Sequence, residues 1–239
     1  MEHLIENILN NYSYITLCGL TFGYFMFLYF GVGSLFLYVC NYLEQKNILH
    51  KIVHKRVKQK QIYFEIKHSI KSIVVFGFSI IPVIYLIRTD SVKLLANTWQ
   101  NIVIGLIILT LWNEVHFYTV HRIMHQKFMI KHVHFIHHKS HIPTVYSVFS
   151  FHWIEAFLLS TVPITIIPFI PFSFVAIMAY PLVSILLNFA GHCNYRFGDG
   201  KGKSWKLLGT HHNEHHSRGR KNYGFALNFL DKLFSKQNN

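Results

Sequence analysis

Residues 94–125 read LLANTWQNIVIGLIILTLWNEVHFYTVHRIMH. No Asp, Glu, Lys or Arg occurs from position 94 to position 113, and about 20 apolar residues suffice for one helical crossing of a bilayer. The tract then runs without a break into Glu114 and into two histidines four residues apart, His121 and His125. Histidines at that spacing lie on one helical face, a turn apart. This stretch therefore predicts a membrane-spanning helix with a pair of histidines stacked one turn apart at its end.

Three further tracts lack charge, at residues 7–43, 72–87 and 156–195. The composition agrees: 51% hydrophobic and 16% aromatic residues with only 14% charged is not an ordinary soluble mixture. Spans are expected near residues 15–39, 72–87 and 94–113. Pro163, Pro168, Pro171 and Pro181 make a bent hairpin over 156–190 more plausible than one rod, because proline frees backbone groups that lipid cannot satisfy. The first tract follows no basic segment and is too long for a signal-peptide core, so it reads as a retained span. The expectation is one all-α integral membrane domain over residues 1–239. It has about four transmembrane or hairpin helices and a cytoplasmic helical cap that carries the histidines.

The net charge is +13, and the placement of the basic residues decides what it means. No Lys or Arg precedes Lys46; eight fall in residues 44–71, two in 88–93, four in 112–155 and nine from 196 onward. Basic residues concentrate in cytoplasmic loops of membrane proteins. The pattern therefore places the N-terminus outside and the histidine segments and C-terminus in the cytoplasm, and it argues against a nucleic-acid partner. Residues 45–71, basic with interspersed apolar positions, suit either a helix lying along an anionic leaflet or a solvated loop. Of the three cysteines, Cys18 and Cys40 fall on one presumed helix roughly 33 Å apart and cannot pair with each other.

Fourteen of the eighteen histidines lie between His116 and His216. They form three boxes, His121-Arg-Ile-Met-His125, His134-Phe-Ile-His137-His138 and His212-Asn-Glu-His215-His216, with a lone His192 between the second and third. Residues 112–138 are expected to be largely helical up to Pro143, and a glycine-marked loop precedes a short helix near 204–213. One such box is weak evidence. Three in order at membrane boundaries are stronger, because crowded imidazoles are poorly solvated and repel when protonated, and divalent cations relieve both problems. Imidazole suits iron, zinc or copper alike; apolar tracts able to hold a lipid favour a redox metal that activates O2.

These boxes, with Glu65-Ile-Lys-His-Ser-Ile, Phe117-Tyr118, Ile142-Pro-Thr, Phe151-His-Trp-Ile-Glu155, Asn222-Tyr-Gly and Leu230-Asp231-Lys-Leu-Phe, resemble the sterol desaturase and fatty acid hydroxylase superfamily, above all its sterol 5-desaturase branch. The resemblance covers about residues 61–234. It implies nine metal ligands: His121, His125, His134, His137, His138, His192, His212, His215 and His216. It also implies two iron ions, with zinc as an alternative occupant in purified samples. The reaction implied is O2-dependent oxidation of a membrane lipid or sterol. Electrons would come from NAD(P)H through an external b-type cytochrome, or a ferredoxin with its reductase. The location implied is the endoplasmic reticulum of a eukaryote or the inner membrane of a bacterium.

His152, Glu155, Glu114 and Glu214 are candidates to hydrogen-bond ligand imidazoles. His116, His132, His141 and His211 match no box, and Cys193 beside His192 reads as a small buried residue. Thr119 stands where many relatives carry Trp. Two competing readings are a membrane metal transporter, which would place its ligands near mid-membrane, and a non-catalytic metal-binding scaffold.

Overall fold

The charge-free tracts become helices in the computed structural model, which describes residues 2–196, 208–218 and 222–235. Helix α1 (Glu2–Asn11) precedes α2 (Tyr14–Met26), which opens where the Ser13 side chain accepts from Thr16 N. Through a wide π turn at Phe27–Val32, α2 continues into α3 (Gly33–Gln45) as one apolar rod. The next rod is α4 (Gln59–Phe78) followed by α5 (Ile80–Arg88). They are offset at Ser79, because Pro82 has no N–H to offer the Phe78 carbonyl.

Helix α6 (Trp99–Met124), capped by Thr98 on Asn101 N, carries the first box. Beyond it come α7 (Lys127–Met129), a π turn at Ile130–His134, α8 (Phe135–His138), a 3-10 turn at Val145–Ser147 and α9 (Trp153–Ser160). Helix α10 (Phe174–His192) opens on a Ser173 cap, and α11 (Leu208–Arg218) and α12 (Phe229–Ser235) complete the described elements. Four helical stretches, Tyr14–Gln45, Gln59–Arg88, Trp99–Met124 and Phe174–His192, are long and apolar enough to cross a membrane. Many of their large apolar residues face outward, among them Phe27, Leu35, Ile104, Ile107, Leu111 and Leu186, as a lipid-facing surface requires.

Short ties define the two ends of the bundle. At one end Arg88 donates to the Leu9 and Tyr12 carbonyls, and β2 (Leu94–Leu95) pairs in parallel with β3 (Phe172–Ser173). At the other end β1 (His50–Lys51) pairs antiparallel with β4 (Tyr195–Arg196), beside the histidines.

The proline-rich segment links the ends along α6. Thr161 Oγ1 lies 2.9 Å from His116 Nε2, and Thr165 Oγ1 accepts from Trp112 Nε1 at 3.0 Å. The first arm of the 156–190 tract is thus a short α9 and irregular turns, and only the second arm is a span-length helix.

Two apolar clusters fill the bundle, one around Tyr29, Phe76, Phe149 and Phe189 and the other around Ile84, Leu109, Phe172 and Ile177. Between lipid-facing helices, association rests on close van der Waals packing rather than on water exclusion. Gly105 serves this directly, since a Cβ there would stand 2.8 Å from Ala176 Cβ.

Two local expectations are revised. Of residues 45–71, expected as a leaflet helix or a solvated loop, residues 59–71 form the start of α4, continuous with the candidate span. The 112–138 run is broken at Gln126, which is extended (ψ 150°). The expected helix near 204–213 is met in part by α11; residues 204–207 and most of the preceding glycine loop lie outside the described residues.

Candidate metal centre

The break at Gln126 builds the site. On a continuous helix His121 and His134 would stand about 20 Å apart along the axis, whereas their ring centroids are 5.0 Å apart. Turning the chain at 125–126 folds the second box back onto the first. Helix α10 brings His192 to the same end, and α11 lays the third box across it: the His192 and His212 rings are 4.2 Å apart.

The nine histidines of the boxes and position 192 fall into two groups, His121, His125, His134, His138 and His215 in one, and His137, His192, His212 and His216 in the other. Within each group the nearest ring nitrogens lie within 4.8 Å of one another. The spacing explains the division. Residues four apart share a face, so His121/His125 and His134/His138 point into the first group and His212/His216 into the second. The third member of each three-histidine box crosses over: His137 joins the second group and His215 the first.

Several of these imidazoles have one nitrogen already engaged outside the groups. His121 Nδ1 lies 2.9 Å from the Tyr223 carbonyl, His134 Nδ1 2.7 Å from Glu155 Oε1, and His192 Nδ1 3.0 Å from the Asn188 carbonyl. Each acceptor fixes the N–H on Nδ1 and leaves the Nε2 lone pair aimed inward. His121 Nε2 and His134 Nε2 are buried with no hydrogen-bond partner among the described residues.

The Nε2 atoms of His125, His138 and His215 stand 3.0–3.3 Å from one another, and those of His192, His137, His212 and His216 make successive approaches of 3.0–3.4 Å. Nitrogens bound at about 2.1 Å to one ion at tetrahedral or octahedral angles are separated by about 3.0–3.4 Å. The donor set therefore fits a pair of cations.

Burial, then neighbouring imidazoles, holds His125 and His138 down to about 3. The same causes keep His134, His137, His212 and His216 well below the ordinary histidine value. The ligating, neutral form is thus the resting form. Burial also pushes Glu155 well above the usual carboxylate range, so without a cation the His134–Glu155 contact is a hydrogen bond between neutral groups. A cation on the far side of the His134 ring would favour the carboxylate.

The other candidates take different places. Glu155 meets a box imidazole directly, its Oε1 2.7 Å from His134 Nδ1. His152 caps α9, its Nδ1 accepting from Ile154 N at 3.2 Å, and so orients the helix that carries Glu155. Glu114 Oε1 accepts from Ala226 N and Leu227 N at 2.8 and 3.1 Å; it holds backbone rather than an imidazole. Glu214 is exposed. His116, His132, His141 and His211 belong to neither group.

Residue types did not disclose the clamp on Tyr223. Asp231 accepts from Tyr223 N and Gly224 N at 2.8 and 2.9 Å, and with Glu114 it fixes the loop whose carbonyl orients His121. Gly224 is required there, as a Cβ would meet the Leu227 carbonyl oxygen. The Tyr223 ring lies 4.9 Å from the His125 ring, and the Arg122 guanidinium covers it at 5.0 Å.

Beneath the histidines lies a cavity of about 640 Å³, lined mainly by apolar residues of α2, α5, α6 and α10. Phe117, Phe151 and Asn188 belong both to its wall and to the surroundings of the histidines: Phe117 lies 5.0 Å from the His121 ring and Phe151 4.9 Å from that of His137, and Asn188 binds His192.

The chain is similar over 195 residues to a lathosterol oxidase of Rattus norvegicus, at 25% identity, covering 75% of this chain and 62% of that protein. It is 25% identical over 227 residues to a Delta(7)-sterol 5(6)-desaturase of Gibberella zeae, covering 85% and 65%. It is 27% identical over 190 residues to a probable Delta(7)-sterol 5(6)-desaturase of Neurospora crassa, covering 75% and 53%. The chain thus spans less than two thirds of the length of each of these relatives. No solved structure matches. The model of the fatty acid hydroxylase family matches residues 106–236, a stretch that begins within α6 and contains all three boxes, His192 and the Tyr223 loop, and the chain belongs to that family.

Proposed function

We propose that this chain is an O2-dependent lipid oxidoreductase, of the sterol desaturase or lipid hydroxylase type, in which two histidine groups hold two iron ions. The observation that carries the reading is the division of nine histidines into two adjacent groups, all buried but the half-buried His125 and His138, whose inward nitrogens stand at ligand–ligand separations. His121, His125, His134, His138 and His215 would hold one ion and His137, His192, His212 and His216 the other. When bound, such a pair supplies O2 activation and one-electron chemistry strong enough to oxidise an unactivated C–H bond.

The remaining groups act on geometry and solvent. The Tyr223 and Asn188 carbonyls and Glu155 keep three imidazoles in the ligating tautomer. Phe117 and Phe151 exclude water between the histidines and the cavity. The apolar wall of that cavity suits a membrane lipid or sterol entering from the bilayer. Electrons are proposed to come from NAD(P)H through a b-type cytochrome or a ferredoxin with its reductase. The N-terminus then lies outside and the histidine end in the cytoplasm, at the endoplasmic reticulum of a eukaryote or the inner membrane of a bacterium. Gathering of the histidines at one end of the bundle, rather than midway along it, disfavours a transporter.

The test is lipid and sterol profiling of cells producing the wild-type chain or His137→Ala, with elemental analysis of both purified proteins. The wild type is expected to carry about two metal ions and to alter at least one lipid or sterol pool; the variant is expected to lose metal and leave the profile unchanged. A variant that keeps both the metal and the altered profile would overturn the assignment.

A further inference from the structure

The wall of the cavity beneath the histidines contains a polar side chain that the fold leaves without a partner. Helices α6 and α10 run in the same direction, and Gly105 of the first abuts Ala176 of the second. Eight residues on, Asn113 and Ser184 stand at one level; eight residues further, His121 and His192 do. Asn113 and Ser184 both line the cavity, about 12 Å along the helix axis from the histidines.

Asn113 is 5% exposed and its amide opens on the cavity, yet no hydrogen bond among the described residues engages it. Other polar groups of the wall are held by backbone. Tyr24 Oη donates to the Met178 carbonyl at 3.0 Å, Ser79 Oγ to the Phe76 carbonyl at 2.7 Å, and Asn188 Nδ2 to the Val148 carbonyl at 3.2 Å. A buried amide without a partner is unfavourable, so one that faces a cavity is matched to what the cavity takes up. The lining includes no Asp, Glu, Lys, Arg or His among the described residues. A carboxylate, phosphate or ammonium would therefore enter without a counter-charge, at a high desolvation cost. A hydroxyl group suits the amide, since each offers both a donor and an acceptor.

We propose that Asn113 takes the hydroxyl group of an uncharged lipid alcohol and so determines which lipids the cavity accepts. Phe117 and Phe151 then lie between that hydroxyl and the histidines, while Ile8, Leu17 and Ile84 wall the part of the cavity away from them. The same uncharged wall turns away free fatty acids and charged headgroups. This inference rests on the proposed oxidoreductase reading only in giving the cavity to the lipid. Asn113 selects and orients; it does not touch the metal centre.

The test measures binding without turnover, on the full chain in detergent with whatever metal it carries, each value corrected for uptake by empty micelles. The probes are tritiated hexadecanol against hexadecane, cholestanol against cholestane, and palmitate as the charged competitor. In the wild type at least one alcohol is expected to bind about tenfold more tightly than its hydrocarbon, and palmitate is expected not to displace it. Asn113→Leu is expected to lower that ratio by about tenfold at unchanged metal content and unfolding midpoint, and Asn113→Thr, which keeps a hydroxyl, to retain part of the preference. A wild-type ratio near one, displacement by palmitate, or a ratio that survives in Asn113→Leu would each overturn the inference. If the leucine variant does not fold, the wild-type ratio and the threonine variant decide in the same way. A chain that prefers the alcohol but carries no metal overturns the oxidoreductase reading alone; a metal-bearing chain that alters a lipid pool without such a preference overturns this inference alone.

Discussion

His134 uses both faces of one ring. Its Nδ1 is engaged by Glu155 at 2.7 Å, and its Nε2 points into the first histidine group without a partner among the described residues. Replacing Glu155 by Gln keeps the volume but exchanges an acceptor that can become negative for a neutral amide. Loss of an outer hydrogen-bond partner of this kind typically costs 10–100-fold in metal affinity. Glu155→Gln is therefore expected to fold, to weaken metal binding by about that factor in a chelator competition, and to leave His192 and its group less affected. Unchanged affinity would remove Glu155 from the centre.

The box histidines stood out by their spacing and order, and the family resemblance supplied the ligand set, His192 included. Their acceptors were legible only in part, since Glu155 is a residue type that advertises itself, whereas the Tyr223 and Asn188 carbonyls are backbone atoms that every residue possesses. Glu114 shows the converse: an acidic residue near a box whose side chain is occupied by the amides of residues 226 and 227.

Among the elements, α6 and α10 carry the largest structural load, because His121 and His192 stand at their ends and the two helices meet at Gly105. A branched side chain there would drive into Ala176, already 2.8 Å from the position of a Cβ. Overpacking of this kind costs about 1–3 kcal/mol. Gly105→Val is expected to lower the thermal unfolding midpoint in detergent and to reduce metal retention, because parting the helices parts the histidines. An unaltered midpoint would mean that the helices can re-space freely.

The helices themselves followed from charge-free length, and the irregular descent of residues 161–171 from prolines. The break at Gln126 did not follow. Neither Pro nor Gly marks it, and it is favoured by what it achieves in three dimensions, the return of the second box to the first.

For the molecule as a whole, pH acts through the same histidines. The folded chain holds His125 and His138 neutral down to about 3, whereas an unfolded chain protonates histidine below about 6.5. The unfolded state thus binds more protons, and the stability of metal-free protein falls as pH drops from about 6.5 toward 3. Protons compete with metal for the same nitrogens, but they compete less effectively here than at exposed histidines. Thermal unfolding of the metal-free chain between pH 7 and 4 is expected to show a falling midpoint, while dialysed holoprotein keeps its metal through pH 6 and releases it at lower pH. A flat midpoint, or release already complete at pH 6, would contradict this balance.

The crossed contributions of the two three-histidine boxes bear on the order in which the protein can be made. Since His215 and His216 serve different groups, neither group is complete until synthesis has passed both and α11 has docked. A chain still lacking α11 would offer four imidazoles of the first group and two of the second, each set short of the members that α11 brings. On the proposed reading, filling of the metal pair would therefore be completed only in the finished fold.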